Sequence, residues 1–319
     1  MSTKFGALAF TVALASPFAA FAQDYSGALT LGYSETGWDS VYSVPTKTVT
    51  FDGRIKFAFE NGLTFGARFN KLDKEDGYSE TSTPGDLKSF DLGYTFSNNM
   101  KAAAFYESFS LDYEDEGDVE KDYSTMDTTG IEIGYEADGI DVAVFAAKSK
   151  MGGPGGDVGS DYSLRSSGIR ASYSIGEKLT IGVSVVKTDW DIFGSDLKQM
   201  TTKGIAAVYS ATDKINIFAG LVELTGAESI MWRTDTYQDR TISLGASYDL
   251  TDNIGVPMIA SLELARSSSS VHSGYGTEAV RFGLSIPLGK GKIKAPLNST
   301  ADAILNPSRS AFSQAHLSF

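Results

Sequence analysis

The densest cluster of potential ligands in the chain is acidic: Asp112, Glu114, Asp115, Glu116, Asp118, Glu120 and Asp122 within eleven residues. Oxygen donors at this spacing, with Gly117 at the sixth place, follow the cadence of a calcium loop. Such a loop needs a bidentate Glu at the twelfth place and a helix on either side, and Tyr123 stands there instead. The segment therefore reads as a solvated acidic loop, or one folded over a pore mouth. A divalent cation is the alternative, and no other cofactor is expected. The run from Gly152 to Gly159 is glycine-rich, but no Lys-Ser/Thr pair follows it and no helix opens after it, so a phosphate cradle is not expected. The only histidines are His272 and His316, the ordinary bases near neutral pH. His272 adjoins Ser273, yet no Asp or Asn can be assigned to orient it, so no enzyme is expected.

A different kind of chemistry belongs to charges spaced along alternating segments. Arg54, Lys56, Arg68 and Arg281 share one parity with the polar face of their segments, and so do Asp91, Glu107, Glu132 and Glu136. These side chains suit no reaction. They suit an electrostatic field across an aqueous space, between a basic wall and an acidic one.

The elements that must carry them are strands. Apolar and polar residues alternate through most of the chain, the period of a two-faced strand. Strands are expected at 24–34, 48–60, 63–71, 87–97, 100–111, 128–137, 140–149, 164–175, 178–188, 201–211, 214–224, 239–249, 256–266 and 277–288. Tight-turn chemistry separates every second pair, as in Asn61-Gly62, Asn98-Asn99, Asp138-Gly139, Gly176-Glu177 and Thr212-Asp213. Longer connections near 35–47, 72–86, 112–127, 150–163, 190–200, 225–238 and 267–276 alternate with these turns. An all-β chain with an even number of antiparallel strands, tight turns at one end and long loops at the other is expected to close into a transmembrane barrel. Fourteen is the expected count, with sixteen as the alternative.

Residues 1–22 carry Lys4, an apolar run from Phe5 to Ala15, Pro17 and an Ala20-Phe21-Ala22 ending, the pattern of a secretory signal peptide cut before Gln23. The barrel is expected over residues 23–288. Residues 289–319 form a C-terminal tail of different composition, with Lys290, Lys292 and Lys294 followed by one or two helical turns from Ser299 to Leu305, stopped at Pro307. The tail is expected to hang in the periplasm or to plug the lumen. The formal charge of −13 becomes one unit more negative when Lys4 leaves, which excludes nucleic acid as a partner. No cysteine is present to staple an exported fold.

An internal repeat indicates what surrounds the barrel. Phe57, Tyr94, Tyr135, Tyr173, Tyr209 and Tyr248 stand 37, 41, 38, 36 and 39 residues apart, each just before a tight turn and each on the apolar face. An aromatic girdle at a lipid–water boundary has this placement. Ile131, Ile133, Ile181, Val183, Ile215, Ile217, Leu244 and Leu262 fill the apolar face between turns with no charge among them. A Lys or Arg at that depth costs about 2–4 kcal/mol in lipid. The opposite face carries Gly66, Gly93, Gly130, Gly134, Gly168, Gly182, Gly204, Gly220, Gly245 and Gly283, which predicts a lumen kept open.

With the signal peptide, girdle-bearing hairpins and charged inner face, the chain resembles the Gram-negative outer-membrane porins of the general-diffusion type. It departs from them in strand count, in the short connection near 112–127, which lacks their Pro-Glu-Phe-Gly type motif, and in the residues before the terminal Phe319. The resemblance implies location in the outer membrane, contact with its lipid, possible assembly as a homotrimer and passive passage of small hydrophilic solutes and ions. The acidic excess adds a mild cation preference. The alternative is a non-conducting barrel that serves as a surface adhesin or anchor.

Overall fold

The computed structural model describes residues 24–38, 45–75, 82–113, 122–152, 162–192, 195–230, 233–270, 276–289, 293–311 and 313–314. Fourteen strands follow one another: β1 Asp24–Trp38, β2 Thr46–Ala58, β3 Leu63–Glu75, β4 Ser82–Thr95, β5 Met100–Tyr113, β6 Asp122–Ala137 and β7 Ile140–Gly152 in the first half. The second half holds β8 Tyr162–Ile175, β9 Leu179–Ile192, β10 Ser195–Ser210, β11 Ile215–Ile230, β12 Arg233–Asp249, β13 Ile259–Ser269 and β14 Gly276–Gly289. Each strand pairs antiparallel with its sequence neighbours, and β1 pairs with β14, so the sheet is a closed barrel. Closure leaves no unpaired strand edge. No helix among the described residues is long and apolar enough to cross a membrane.

The expected strand limits hold best at the tight-turn end. There the turns satisfy their own backbone groups: Asn61 Oδ1 accepts from the Leu63 N–H at 3.0 Å, and Asn98 Oδ1 from the Met100 N–H at 3.2 Å. Asp138 and Gly139 both take positive φ, 53° and 81°, the pair of left-handed residues that matches a two-residue hairpin turn to the twist of its strands. At the other end the strands outrun expectation. β10 begins at Ser195 and β12 at Arg233, while β11 continues to Ile230, so the connections expected at 190–200 and 225–238 are mostly strand. Where both faces of a hairpin are polar, the alternation that reveals a strand disappears, although backbone pairing continues.

The barrel wall is apolar outside. All eight mid-strand residues from Ile131 to Leu262 named above are exposed there, Ile131 at 59%. Tyr94, Tyr135, Tyr173, Tyr209 and Tyr248 are exposed on the same face near the tight turns. Phe57 departs from the expected girdle: it is buried at 1%, flanked by Tyr25 and Phe65 with ring centroids 6.3 Å away on each side. Register causes this, because Tyr25, Phe57 and Phe65 are directly paired across β1, β2 and β3. A closed sheet with aliphatic side chains outward and charges inward is built for lipid, since water would leave this whole belt unburied.

The described part of the C-terminal tail lies inside this wall. A short helix α1, Thr251–Ile254, sits in the β12–β13 connection, and a second, α2, Thr300–Leu305, is buried in the lumen. The α2 N-terminus is capped by Ser299, whose Oγ accepts from the Asp302 N–H at 3.1 Å. This satisfies one of the amides a helix start leaves unpaired. The carboxylate of Glu263 on β13 takes the Thr300 N–H at 3.1 Å, a negative group at a helix N-terminus. Residues 1–23, with the expected signal peptide, and Phe319 fall outside the described residues.

Candidate functional site

The inward glycines account for the tail's seat. Helix α2 packs against β8, β9, β10 and β11. A Cβ on Gly204 would stand 2.6 Å from Ile304, one on Gly220 would stand 2.9 Å from Thr300, and one on Gly182 would overlap Leu305. Gly182, Ala206, Gly220 and Ser243 are paired in one row across β9 to β12. This shelf of small residues lets the helix approach the wall, and Ile304 joins Val208, Phe218, Val222, Ala295 and Ala301 in a buried cluster. The open lumen expected from these glycines is therefore corrected. Elsewhere, inward rings fill the glycine space, Phe145 lying over Gly168 and Phe218 over Gly245.

The polar side of the tail reaches the rest of the wall. Arg54 on β2 grips Asp302 with both terminal nitrogens, at 3.0 and 2.6 Å. Arg68 on β3 donates to the Asn306 carbonyl at 2.9 Å. Arg281 on β14 bonds Glu263 at 3.0 Å and Thr300 Oγ1 at 2.8 Å. Glu107 on β5, buried at 2%, accepts from Ser308 Oγ at 2.6 Å and from the Arg309 N–H at 3.3 Å. Glu132 on β6 lies between Arg170, at 3.2 Å, and Arg309, at 2.9 Å. The Arg309 guanidinium also stands 5.2 Å from the Phe105 ring centroid and 5.9 Å from that of Phe145, within cation–π reach. Lys294 donates to Ser174 Oγ at 3.0 Å and Thr180 Oγ1 at 2.9 Å, and its burial holds its pKa below the usual lysine value.

The charges read from the sequence are thus inward as expected, but they do not form two opposed walls. Of the basic group, Arg54 faces Asp302 and Arg281 faces Glu263. In the acidic group, Glu132 faces Arg170 and Arg309, Glu136 pairs with Lys101, and Asp91 lies over Gly66 on the neighbouring strand. Arg54, Arg281, Glu132 and Glu136 are thereby paired with side chains of opposite sign. The acidic segment, Asp112 to Asp122, and both histidines have side chains outside the described residues. No cluster fit for a metal ion occurs among the described residues.

Two cavities remain beside the tail. One, of about 360 Å³, lies toward the long-connection end and is lined by Thr46, Thr48, Thr50, Asp52, Arg68, Asn70, Lys74, Arg281, Leu297 and Asn298, among others. The other, of about 210 Å³, lies toward the tight turns and is lined by Arg54, Lys56, Arg68, Lys101, Arg170 and Arg309 with Asp91, Glu132 and Asp141. Arg68 borders both, and Arg54 and Asn306 border the second. Sequence reading missed Asp302, Glu263, Arg170, Arg309 and the Asp52–Asn70 pair. The one available signal was Ser299 three residues before Asp302, a helix-start pattern inside a tail of otherwise irregular composition.

No family model matches the chain, and no curated protein matches it. Solved structures similar to it include in-vitro folded OmpT, an outer membrane protein of Vibrio cholerae, with TM-score 0.46, 9% identity, and coverage of 83% of this chain and 97% of that one. OpdO of Pseudomonas aeruginosa gives TM-score 0.41, 10% identity, and coverage of 85% and 99%. A BenF-like porin from Pseudomonas fluorescens Pf-5 gives TM-score 0.43, 8% identity, and coverage of 84% and 100%.

Proposed function

We propose that this chain is an outer-membrane channel for passive movement of small hydrophilic solutes and ions, with a path that runs along the β1–β6 side of the lumen past the docked tail. The observation that carries this reading is the pair of cavities on that side, one toward each end, both bordered by Arg68. Passage needs no chemical step. It requires an aqueous route whose width and lining charges set what crosses.

The lining carries both signs of charge. The turn-end cavity carries six cationic side chains, Arg54, Lys56, Arg68, Lys101, Arg170 and Arg309, with the carboxylates of Asp91, Glu132 and Asp141. Four of the cations, Arg54, Lys101, Arg170 and Arg309, are paired with Asp302, Glu136, Glu132 and Asp141, so the sign of any ion preference is left to measurement. The test is single-channel current from the full-length protein in a planar bilayer, with reversal potential measured across a salt gradient at low ionic strength, where screening is weak. Discrete conductance supports the reading. A silent barrel overturns it and favours the second reading, a surface adhesin or anchor, for which the burial of the tail in the lumen speaks.

A further inference from the structure

We infer that the 360 Å³ cavity at the long-connection end is a recognition site for a neutral, hydroxyl-rich solute, a sugar of one or two rings. This inference rests on the channel reading and deepens it by naming a solute class. The cavity lies within the size range of small-molecule sites, about 300–1,000 Å³. Its β2–β3 wall is built and buried. Asp52 is 4% exposed and Asn70 8%, and the Asn70 amide donates to Asp52 Oδ1, which fixes both side chains. The other carboxylate oxygen, Asp52 Oδ2, and the neighbouring Thr50 Oγ1 are buried with no partner other than each other. A carboxylate oxygen and a hydroxyl each have more than one hydrogen-bonding position, so this pair on a cavity wall leaves positions open for a ligand's polar groups.

The mixture of groups identifies the class. Asp52 accepts only, Arg68 donates only, and Thr50 and Asn298 can do both. Hydroxyls are donors and acceptors at once, so adjacent hydroxyls on a ring satisfy all four. A carboxylate anion has nothing to donate to Asp52 and is repelled by it. A cation offers no acceptor to Arg68 and is repelled by Arg68, Lys74 and Arg281. Leu72 and Leu297 on the same lining supply apolar contact for the ring's C–H faces.

The test is calorimetric titration of the full-length barrel in detergent with glucose and sucrose, and with succinate, inorganic phosphate and choline as charged probes. Planar-bilayer conductance is measured on the same preparation. The expected result is saturable binding of at least one sugar, weakened about tenfold or more by Asp52→Ala, since hydrogen bonds to a charged group are among the stronger ones. Thr50→Val keeps the side chain's shape and is expected to weaken binding about threefold to tenfold, with the folded barrel verified by heat-modifiable gel migration. Absence of sugar binding to the folded protein, sugar binding unaffected by both substitutions, or tighter binding of a charged probe overturns the inference. Current without sugar binding removes the site and leaves the channel. Sugar binding without current supports the site and removes the channel.

Discussion

The two sides of the lumen solve opposite problems with the same inward-facing positions. On β8 to β11 the inner wall is small and apolar, and Ile304 and Leu305 of α2 press into the room left by Gly182, Gly204 and Gly220. On β1 to β6 the inner wall is long, charged and hydroxylated, and it meets the tail chiefly through hydrogen bonds and ion pairs, joined by the contacts of Arg309 and Ala311 with Phe105. The comparison teaches that inward glycine has two meanings in a barrel. It can keep space open, or it can shape a seat, and only the presence of an apolar side chain opposite distinguishes these. One side seats the helix by shape, with a few hydrogen bonds from Ser174, Thr180, Thr188 and Thr202, and the other holds the tail mainly by polar contacts.

The largest break in this comparison is removal of the tail. Truncation after Gly289 is expected to raise single-channel conductance severalfold and to lower the temperature at which the barrel loses its heat-modifiable migration. Unchanged conductance would mean that the tail does not narrow the path. Next in size is the apolar hold. Ile304→Ala removes a fully buried side chain and is expected to weaken docking by about 2–5 kcal/mol, read as faster trypsin cleavage at Arg309. On the charged side, Arg54→Gln and Asp302→Asn form a double-mutant cycle. Their coupling is expected at about 0.5–3 kcal/mol in thermal unfolding, and additivity would show that the pair contributes nothing beyond its separate parts. The smallest expected effect contrasts two glycines. Gly204→Ala must displace Ile304 and should change channel noise and closing, whereas Gly37→Ala on β1, with nothing within 4 Å of its added Cβ, should be silent in both conductance and stability.

The outer surface was legible in the sequence because lipid imposes a rule on every second residue. Tyr94, Tyr135, Tyr173, Tyr209 and Tyr248 repeat with the hairpins, and Asn61, Asn98 and Asp138 mark the tight turns through local chemistry that needs no distant partner. The inner surface was legible only as a list. Arg54 and Glu107 could be assigned inward by parity, but what they face lies 248 and 201 residues away, in Asp302 and Ser308. No periodicity records such a pairing. Helix α2 has six residues, too few to display an amphipathic period, so its apolar contact with Gly204 could not be read from either segment alone. Phe57 fits the repeat perfectly and still leaves the exposed girdle, because exposure depends on Tyr25 and Phe65 on the adjoining strands.

The seam between β1 and β14 acquires a meaning from what the barrel encloses. Thr30 and Ser285 bond across it at 2.8 Å from positions 255 residues apart, the kind of long-range pairing that forms slowly. The tail is joined to β14 at Gly289, so it is made after all fourteen strands, yet its docked helix is surrounded by wall. Assembly therefore couples two events at the end of the pathway: the sheet zips shut while the tail is threaded or wrapped within it. A chain halted before that point presents two hazards together, an unpaired strand edge and the uncovered Ile304 cluster, both of which invite association with another chain. Shielding of this chain before insertion has to cover both surfaces at once.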